Sequence, residues 1–158
     1  MKKIELKSLT EYFGNFLPAG KIQNRETRIA IVLLYGSLCK PNKEVAEELE
    51  GIRKGLVGDK EEEIQKYVSL LQKAMNTSLS EEEREKAKKE AEGMTECAKI
   101  DKDFSLATQR VYNEEIDVKP KKISLELLYD ALADCGFPQF GADCPISVIQ
   151  DNFAQVIA

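Results

Sequence analysis

Apolar residues recur at helical spacing between Asn24 and Val57. Successive apolar positions are three, four, seven, four, three and four residues apart, a spacing that places them on one face of an α-helix. The face consists of Ile31, Leu34, Leu38, Val45, Leu49, Ile52 and Leu56. Asn24 suits an N-cap, whereas Pro41 removes one backbone hydrogen bond from the middle. We therefore expect a long helical segment that kinks at Pro41, or breaks there and restarts near Asn42.

A second apolar face begins after Gly58, a residue suited to a helix C-cap. Asp59-Lys60-Glu61-Glu62 follows, and its acidic side chains favour the positive end of a new helix. The apolar face of that helix consists of Ile64, Tyr67, Val68, Leu71 and Met75. Because a tight turn joins the two faces, the sequence predicts a long antiparallel helical hairpin.

Two short segments alternate between apolar and charged residues. Ile4 and Leu6 alternate with charges in Lys2 to Lys7, and Ile116 and Val118 do so in residues 114–119. Period-two alternation is typical of half-buried strands, so we expect these segments to pair in a small two-stranded β ribbon. In the intervening sequence, Ser8-Leu9-Thr10-Glu11 has the pattern of a capping box, which predicts a short helix that ends near Phe16.

Charged residues dominate the middle of the chain. Ser80-Glu81-Glu82-Glu83 is another capping box, but the helix it opens has only a thin stripe of small or flexible apolar residues. That stripe consists of Ala87, Ala91, Met94 and Ala98. We expect residues 77–100 to be mobile or solvent-exposed.

The last third of the chain contains two further predicted helices. Ser124 caps the first, which ends at Gly136. Asp143 and Pro145 begin the second, whose face includes Ile146 and four residues that we take as a candidate interaction surface. Those four residues are Ile149, Phe153, Val156 and Ile157. An apolar face at this position either docks on the core or meets a partner.

These elements predict a mainly α fold: a long antiparallel helical hairpin, a small two-stranded β ribbon and a C-terminal helix. With 158 residues, the chain is expected to form a single helical domain over residues 1–158. No apolar run is long enough to span a bilayer, and no export signal is evident. We therefore expect a cytoplasmic protein with no membrane contact and with free thiols.

The chain contains no histidine, which excludes Ser-His-Asp and Cys-His catalysis and His-ligated metals. The Cys135 and Cys144 pair could bind zinc or form a disulfide, but ordinary burial is the favoured interpretation because no other soft ligand lies nearby in sequence. The acidic cluster at Glu114, Glu115 and Asp117 is followed by lysines that neutralise it. We expect no catalytic residue, cofactor or metal site, and a protein that is not an enzyme.

The net charge of −5 argues against a protein whose main task is to coat nucleic acid. The first thirty residues are nevertheless basic, with a candidate patch at Lys2, Lys3, Lys7, Lys21, Arg25 and Arg28. One interpretation is charge complementarity with the Glu-rich tract from Glu44 to Glu63, within or between subunits. The alternative is a small regulatory protein that binds nucleic acid through this patch.

One combination of segments resembles a family of small uncharacterised phage and prophage proteins. It comprises Phe16-Leu17-Pro18-Ala19 before a long amphipathic helix, a charged middle, and residues 113–120, Asn-Glu-Glu-Ile-Asp-Val-Lys-Pro. Pro41 and the tail after Gly136 depart from the family pattern. The resemblance implies a mobile-element origin, in the host cytoplasm or associated with a virion, and carries no catalytic residues.

These observations favour a non-enzymatic protein-interaction or structural accessory protein. We expect it to be homo-oligomeric through the long hairpin or the C-terminal helix, with a protein partner that the sequence does not name. The nucleic-acid-associated protein is the alternative, although we do not expect nucleic acid to be its main partner.

Overall fold

The computed structural model describes residues 1–137 and 156–158. These residues form a short 3-10 helix, Ala19–Lys21, and the α-helices α1 (Lys3–Phe16), α2 (Arg25–Val57), α3 (Glu61–Met75), α4 (Glu81–Glu92), α5 (Thr95–Asn113) and α6 (Leu125–Asp134). The predicted mainly α class is confirmed. The chain divides into two compact units: unit 1, residues 1–46 and 112–158, and unit 2, residues 47–111. The single-domain expectation stays a prediction.

Helix α2 runs through Pro41 without a break, so the alternative of a restart near Asn42 is wrong. Its N-terminus is capped as expected, because the Thr27 amide donates to Oδ1 of Asn24 (3.1 Å). Within unit 1 its predicted stripe is buried at Ile31, Leu34, Leu38 and Val45. Burial of that stripe on both sides of Pro41 offsets the one backbone hydrogen bond that proline removes.

The predicted β ribbon is wrong, because Lys3 to Lys7 belong to α1. Leu6 is fully buried and Ile4 is exposed, whereas a strand would have put both on one face. The Lys2 amide donates to Oε2 of Glu5 (2.7 Å), which caps the helix six residues earlier than expected. Ser8 is therefore not a cap, and its hydroxyl donates to the Ile4 carbonyl (3.0 Å).

The N-terminus does lie beside residues 114–116, as the sequence suggested. Lys2 and Glu115 form an isolated antiparallel β-bridge, and the Ile116 amide donates to the Met1 carbonyl (2.8 Å). The pairing stops there because the chain enters α1 at Lys3. A salt bridge between Lys3 Nζ and Glu114 Oε2 (2.7 Å) closes the same contact.

Helix α6 belongs to unit 1 and ends in a glycine cap. Gly136 has a positive φ of 79°, and its amide donates to Ala133 while the Phe137 amide donates to Leu132. These two bonds form a Schellman motif, which confirms Gly136 as the end of the helix. The Gln23 amide donates to Oδ2 of Asp134 (2.8 Å), so the end of α6 also fixes the loop before α2.

Ser37 joins α2 to the segment that precedes α6. Its hydroxyl donates to the Leu34 carbonyl (2.6 Å) and accepts from the Lys121 amide (3.0 Å). In the structure it holds an otherwise irregular stretch against α2.

Unit 2 has its own hydrophobic core. The cluster contains Val57, Ile64, Tyr67, Leu70, Ala87, Ala91 and Cys97. Helix α4 packs along α3, and a salt bridge between Lys66 Nζ and Glu90 Oε1 (2.7 Å) crosses this contact. The Ser80 cap is confirmed, since its hydroxyl accepts from the Glu83 amide (3.3 Å). The charged helix thus contributes buried alanines to the core, while its mobility stays a prediction.

Gly58 turns the chain between α2 and α3 with a positive φ of 57°. We expect Gly58→Val to lower the free energy of unfolding by about 1–2 kcal/mol, because a side chain is strained in this conformation. Gly55→Ala is the matched control, since Gly55 is helical and an added Cβ would meet no atom within 4 Å. That replacement should stabilise by about 0.5–1 kcal/mol. Urea unfolding of both variants checks the opposite signs, and equal effects would contradict the assigned turn.

Candidate binding groove in unit 2

An apolar groove of about 430 Å³ opens on unit 2. Three helices line it: the last turns of α2, one side of α3 and the middle of α5. The lining residues are Arg53, Leu56, Val57, Ile64, Gln65, Tyr67, Val68, Ser69, Gln72, Ile100, Asp101 and Phe104. We call this the unit 2 groove. Its lining is mainly apolar with a few polar groups, which is the usual character of a ligand-binding cleft.

Helix α3 provides both the floor and one rim of the groove. Ile64 and Tyr67 are buried, and Val68 beside them is 39% exposed. The polar residues Gln65, Ser69 and Gln72 also line the groove. They follow one another at intervals of about one turn on the adjacent face of α3. From Ile64 to Gln72 the helix rises about 12 Å, so the groove is long enough for two turns of a second helix.

The charges at the groove are unequally neutralised. Nη2 of Arg53 binds Oε1 of Glu61 (2.6 Å), and Nη1 lies 3.8 Å from Glu50. Glu61 also accepts from Nε2 of Gln65 (3.2 Å). The one lining cation therefore faces two carboxylates from its own unit, while Asp101 adds a further negative charge on the α5 side. The groove has a negative bias.

Tyr67 keeps its phenol protonated at neutral pH. Burial raises its pKa above the ordinary value of 10.0, and the nearby carboxylate of Asp101 and the Cys97 thiol raise it further. A neutral phenol suits an apolar wall. The acidic residue that lines this side of the groove is Asp101.

The ion pair of Arg53 with Glu61 should make unit 2 sensitive to acid. Hydrogen bonds from Arg53 and then Gln65 hold the pKa of Glu61 below its ordinary value of 4.5. Its contribution to stability is fully present above that value and is lost as the pH falls through the lower folded-state pKa. We expect Glu61→Gln to flatten the dependence of the urea midpoint on pH in the acid range. Arg53→Gln should do the same, and an unchanged slope in both variants would contradict the pairing.

The candidate interaction surface near the C-terminus is only partly described. Val156 is buried in unit 1, and Ile157 forms a parallel β-bridge with Ile123. The Ile123 amide donates to the Val156 carbonyl (2.9 Å) and the Ala158 amide donates to Ile123 (2.9 Å). Val156 therefore contributes to the core. Ile149 and Phe153 lie outside the described residues, and the surface as a whole stays a prediction.

Some residues of the predicted basic patch bind other groups of the protein, and the others are exposed. Lys3 binds Glu114, and Lys7 lies 3.7 Å from Glu11 and 5.3 Å from the ring centre of Tyr112. Arg28 donates to the carbonyls of Ile22 (2.8 Å) and Gln23 (3.3 Å). Lys2, Lys21 and Arg25 are exposed. Half of the predicted patch thus already binds groups of the protein itself.

Metal chemistry finds no support in the described part of the chain. Residues 1–137 and 156–158 contain no group of three or more Cys, Asp or Glu that could hold a metal ion. Cys39 and Cys97 are free thiols, and burial raises the pKa of Cys97 and of Cys135. Cys144 lies outside the described residues, so the disulfide and zinc alternatives for Cys135 are not tested.

No described helix combines the length and the apolar character that a membrane span requires. No protein-family model matches the chain, and neither a curated protein nor a solved structure matches it. The resemblance to phage and prophage proteins therefore stays a prediction.

The groove was not predicted from the sequence. The sequence pattern puts Val68 on the packing face of α3 and does not connect Ile100 or Asp101 with it. The available signal was the pair Ile100 and Phe104, which are one turn apart and apolar in a polar stretch. That signal predicts an apolar face on α5, but it does not predict which face of α3 lines the groove with it.

Proposed function

We propose that this chain is a non-enzymatic protein-interaction module and that the unit 2 groove receives an amphipathic helix of a protein partner. The observation that carries this proposal is the groove itself, in which the exposed side chain of Val68 lies beside the buried Ile64 and Tyr67 on α3. A second helix can place apolar anchors at positions i, i+3 or i+4, and i+7 in such a groove.

The charge of unit 2 indicates which kind of partner helix the groove binds. Residues 47–111 contain sixteen Asp and Glu against twelve Lys and Arg, and the lining cation Arg53 is already paired. Asp101 has the position to meet a cation of the ligand. The partner helix therefore carries Lys or Arg beside its apolar anchors, since complementary charge fixes register and suppresses wrong partners.

Selection from a displayed library of amphipathic helices of about 14 residues, or four turns, tests this proposal. The full chain is the bait, and Asp101→Lys is the matched counter-bait. We expect the wild-type chain to enrich helices with apolar anchors and Lys or Arg at the flank. Asp101→Lys should enrich the same anchors with Asp or Glu instead.

Two outcomes would overturn the proposal. One is that no helix is enriched above a bait-free control. The other is that both baits enrich helices with the same flanking charges, because the groove would then not be the site that reads the ligand. If the groove binds a small apolar ligand instead of a helix, no helix will be enriched, which is the first of these outcomes.

The nucleic-acid alternative has no supporting observation, because Lys3, Lys7 and Arg28 already bind protein groups. The phage or prophage origin remains part of the proposal as an expectation from sequence resemblance. It predicts that the partner is encoded beside this protein in a mobile element.

A further inference from the structure

A second exposed apolar surface lies on α2 within unit 1. Ile29, Val32 and Leu33 are 48%, 50% and 55% exposed, and with Gly36 they occupy positions i, i+3, i+4 and i+7 of one helix face. We call these four residues the α2 face. Exposed apolar side chains clustered in this way commonly mark a protein contact.

Gly36 makes the α2 face suited to another helix. A Cβ built on Gly36 would meet no atom within 4 Å, so the packing of this chain does not require glycine there. Glycine in a helix costs about 1 kcal/mol relative to alanine. The absence of a side chain at Gly36 lets the backbone of a second helix come close. A large side chain of that helix, such as its Ile29, can then lie over Gly36.

The charges at the two ends of the α2 face identify a second copy of this chain as the occupant. Glu26 and Lys40 each lie seven residues, or about two turns, from Leu33 along the same side of α2. In an antiparallel pair of α2 helices centred on Leu33, Glu26 of each copy lies opposite Lys40 of the other. A parallel pair would instead set Glu26 against Glu26 and Lys40 against Lys40.

The same register avoids other conflicts. Ile29 falls opposite position 37, next to Gly36 of the second copy, and Arg25 falls opposite the uncharged Pro41. Self-complementarity of this kind is what a two-fold interface requires. We propose that the α2 face is the contact of a homodimer in which the two α2 helices run antiparallel and cross at Leu33.

The contact is a weak one. Three half-exposed side chains on each copy bury less than the roughly 1,200 Å² of a standard stable interface, so we expect a micromolar dimer. Sedimentation velocity of the full chain from about 1 to about 500 µM is the measurement that spans this range. A sedimentation coefficient that rises with concentration is the expected result, and a monomer throughout would overturn the proposal.

Gly36→Leu tests the close approach of the two helices. Because the site is open in the single chain, the variant should fold, yet its dissociation constant should rise at least about tenfold. Gly51→Leu is the matched control, since Gly51 also lies in α2 and a Cβ there meets no atom within 4 Å. Equal dissociation constants for the two variants would overturn the proposal.

A charge swap tests the antiparallel register. Glu26→Lys and Lys40→Glu should each weaken the dimer, because each places like charges together. The double variant should restore the wild-type dissociation constant, since it re-forms both pairs with their signs exchanged. Failure of the double variant to recover association would exclude the proposed arrangement. Circular dichroism on every variant confirms that the helices remain folded.

Discussion

Replacement of Leu6 by Ala is expected to lower the free energy of unfolding of unit 1 by about 2–5 kcal/mol, the range for a leucine removed from a close-packed core. Leu6 is completely buried on α1, together with Leu9 and Phe13. The surrounding helix is fixed by its cap and by the bridge at Lys2, so it cannot collapse freely into the space left behind. Urea unfolding followed by circular dichroism measures the loss.

Ile4→Ala is the control for Leu6→Ala. Ile4 is 39% exposed on the opposite side of α1, so its truncation should change stability by only about 0.5 kcal/mol. If residues 2–7 formed a strand, both side chains would occupy one face and both variants would lose several kcal/mol. Similar large losses in the two variants would therefore contradict the helical assignment.

Ala91→Gln should destabilise unit 2 by about 2–4 kcal/mol, because a longer polar side chain must enter a packed site and leave its amide poorly hydrated. Ala91 is 2% exposed where α4 packs on α3. Urea unfolding gives the loss, and hydrogen exchange of the α4 amides should show that this helix opens more readily.

Lys88→Gln tests the same helix on its exposed side. It should change stability by no more than about 0.5 kcal/mol. A solvated, loosely attached segment at residues 77–100 would tolerate both replacements equally. The difference between the two variants therefore measures how much α4 contributes to the core of unit 2.

The error at the N-terminus arose because a short window contains both periodicities. The segment from Lys2 to Lys7 has apolar residues at Ile4 and Leu6, which fits the period of a strand. The spacing of Leu6, Leu9 and Phe13 instead fits the period of a helix. The longer pattern prevailed because it buries more apolar surface. By contrast, the caps at Asn24, Ser80 and Ser124 were predictable, since each depends on residues within one turn.

The groove depends on contacts between residues distant in sequence. The pattern of α3 showed which side was apolar, but not that α4 would cover Leu70 and leave Val68 in the groove. Two alanines one turn apart in α4 are a weak hydrophobic signal although they allow close helix packing. Gly58 and Gly136 were assigned correctly, because a helix end that needs a positive φ is a local property.

Isothermal titration calorimetry of the selected helix against two variants on α3 tests the proposed binding site most directly. Val68→Glu places a charge in the unit 2 groove, and Met75→Glu places one on the same helix at an 81% exposed position outside it. We predict that Val68→Glu weakens binding at least about tenfold, a loss of about 1.4 kcal/mol or more, while Met75→Glu binds as the wild-type chain does. Wild-type affinity in Val68→Glu, with its fold intact, would contradict the assignment of the groove as the binding site.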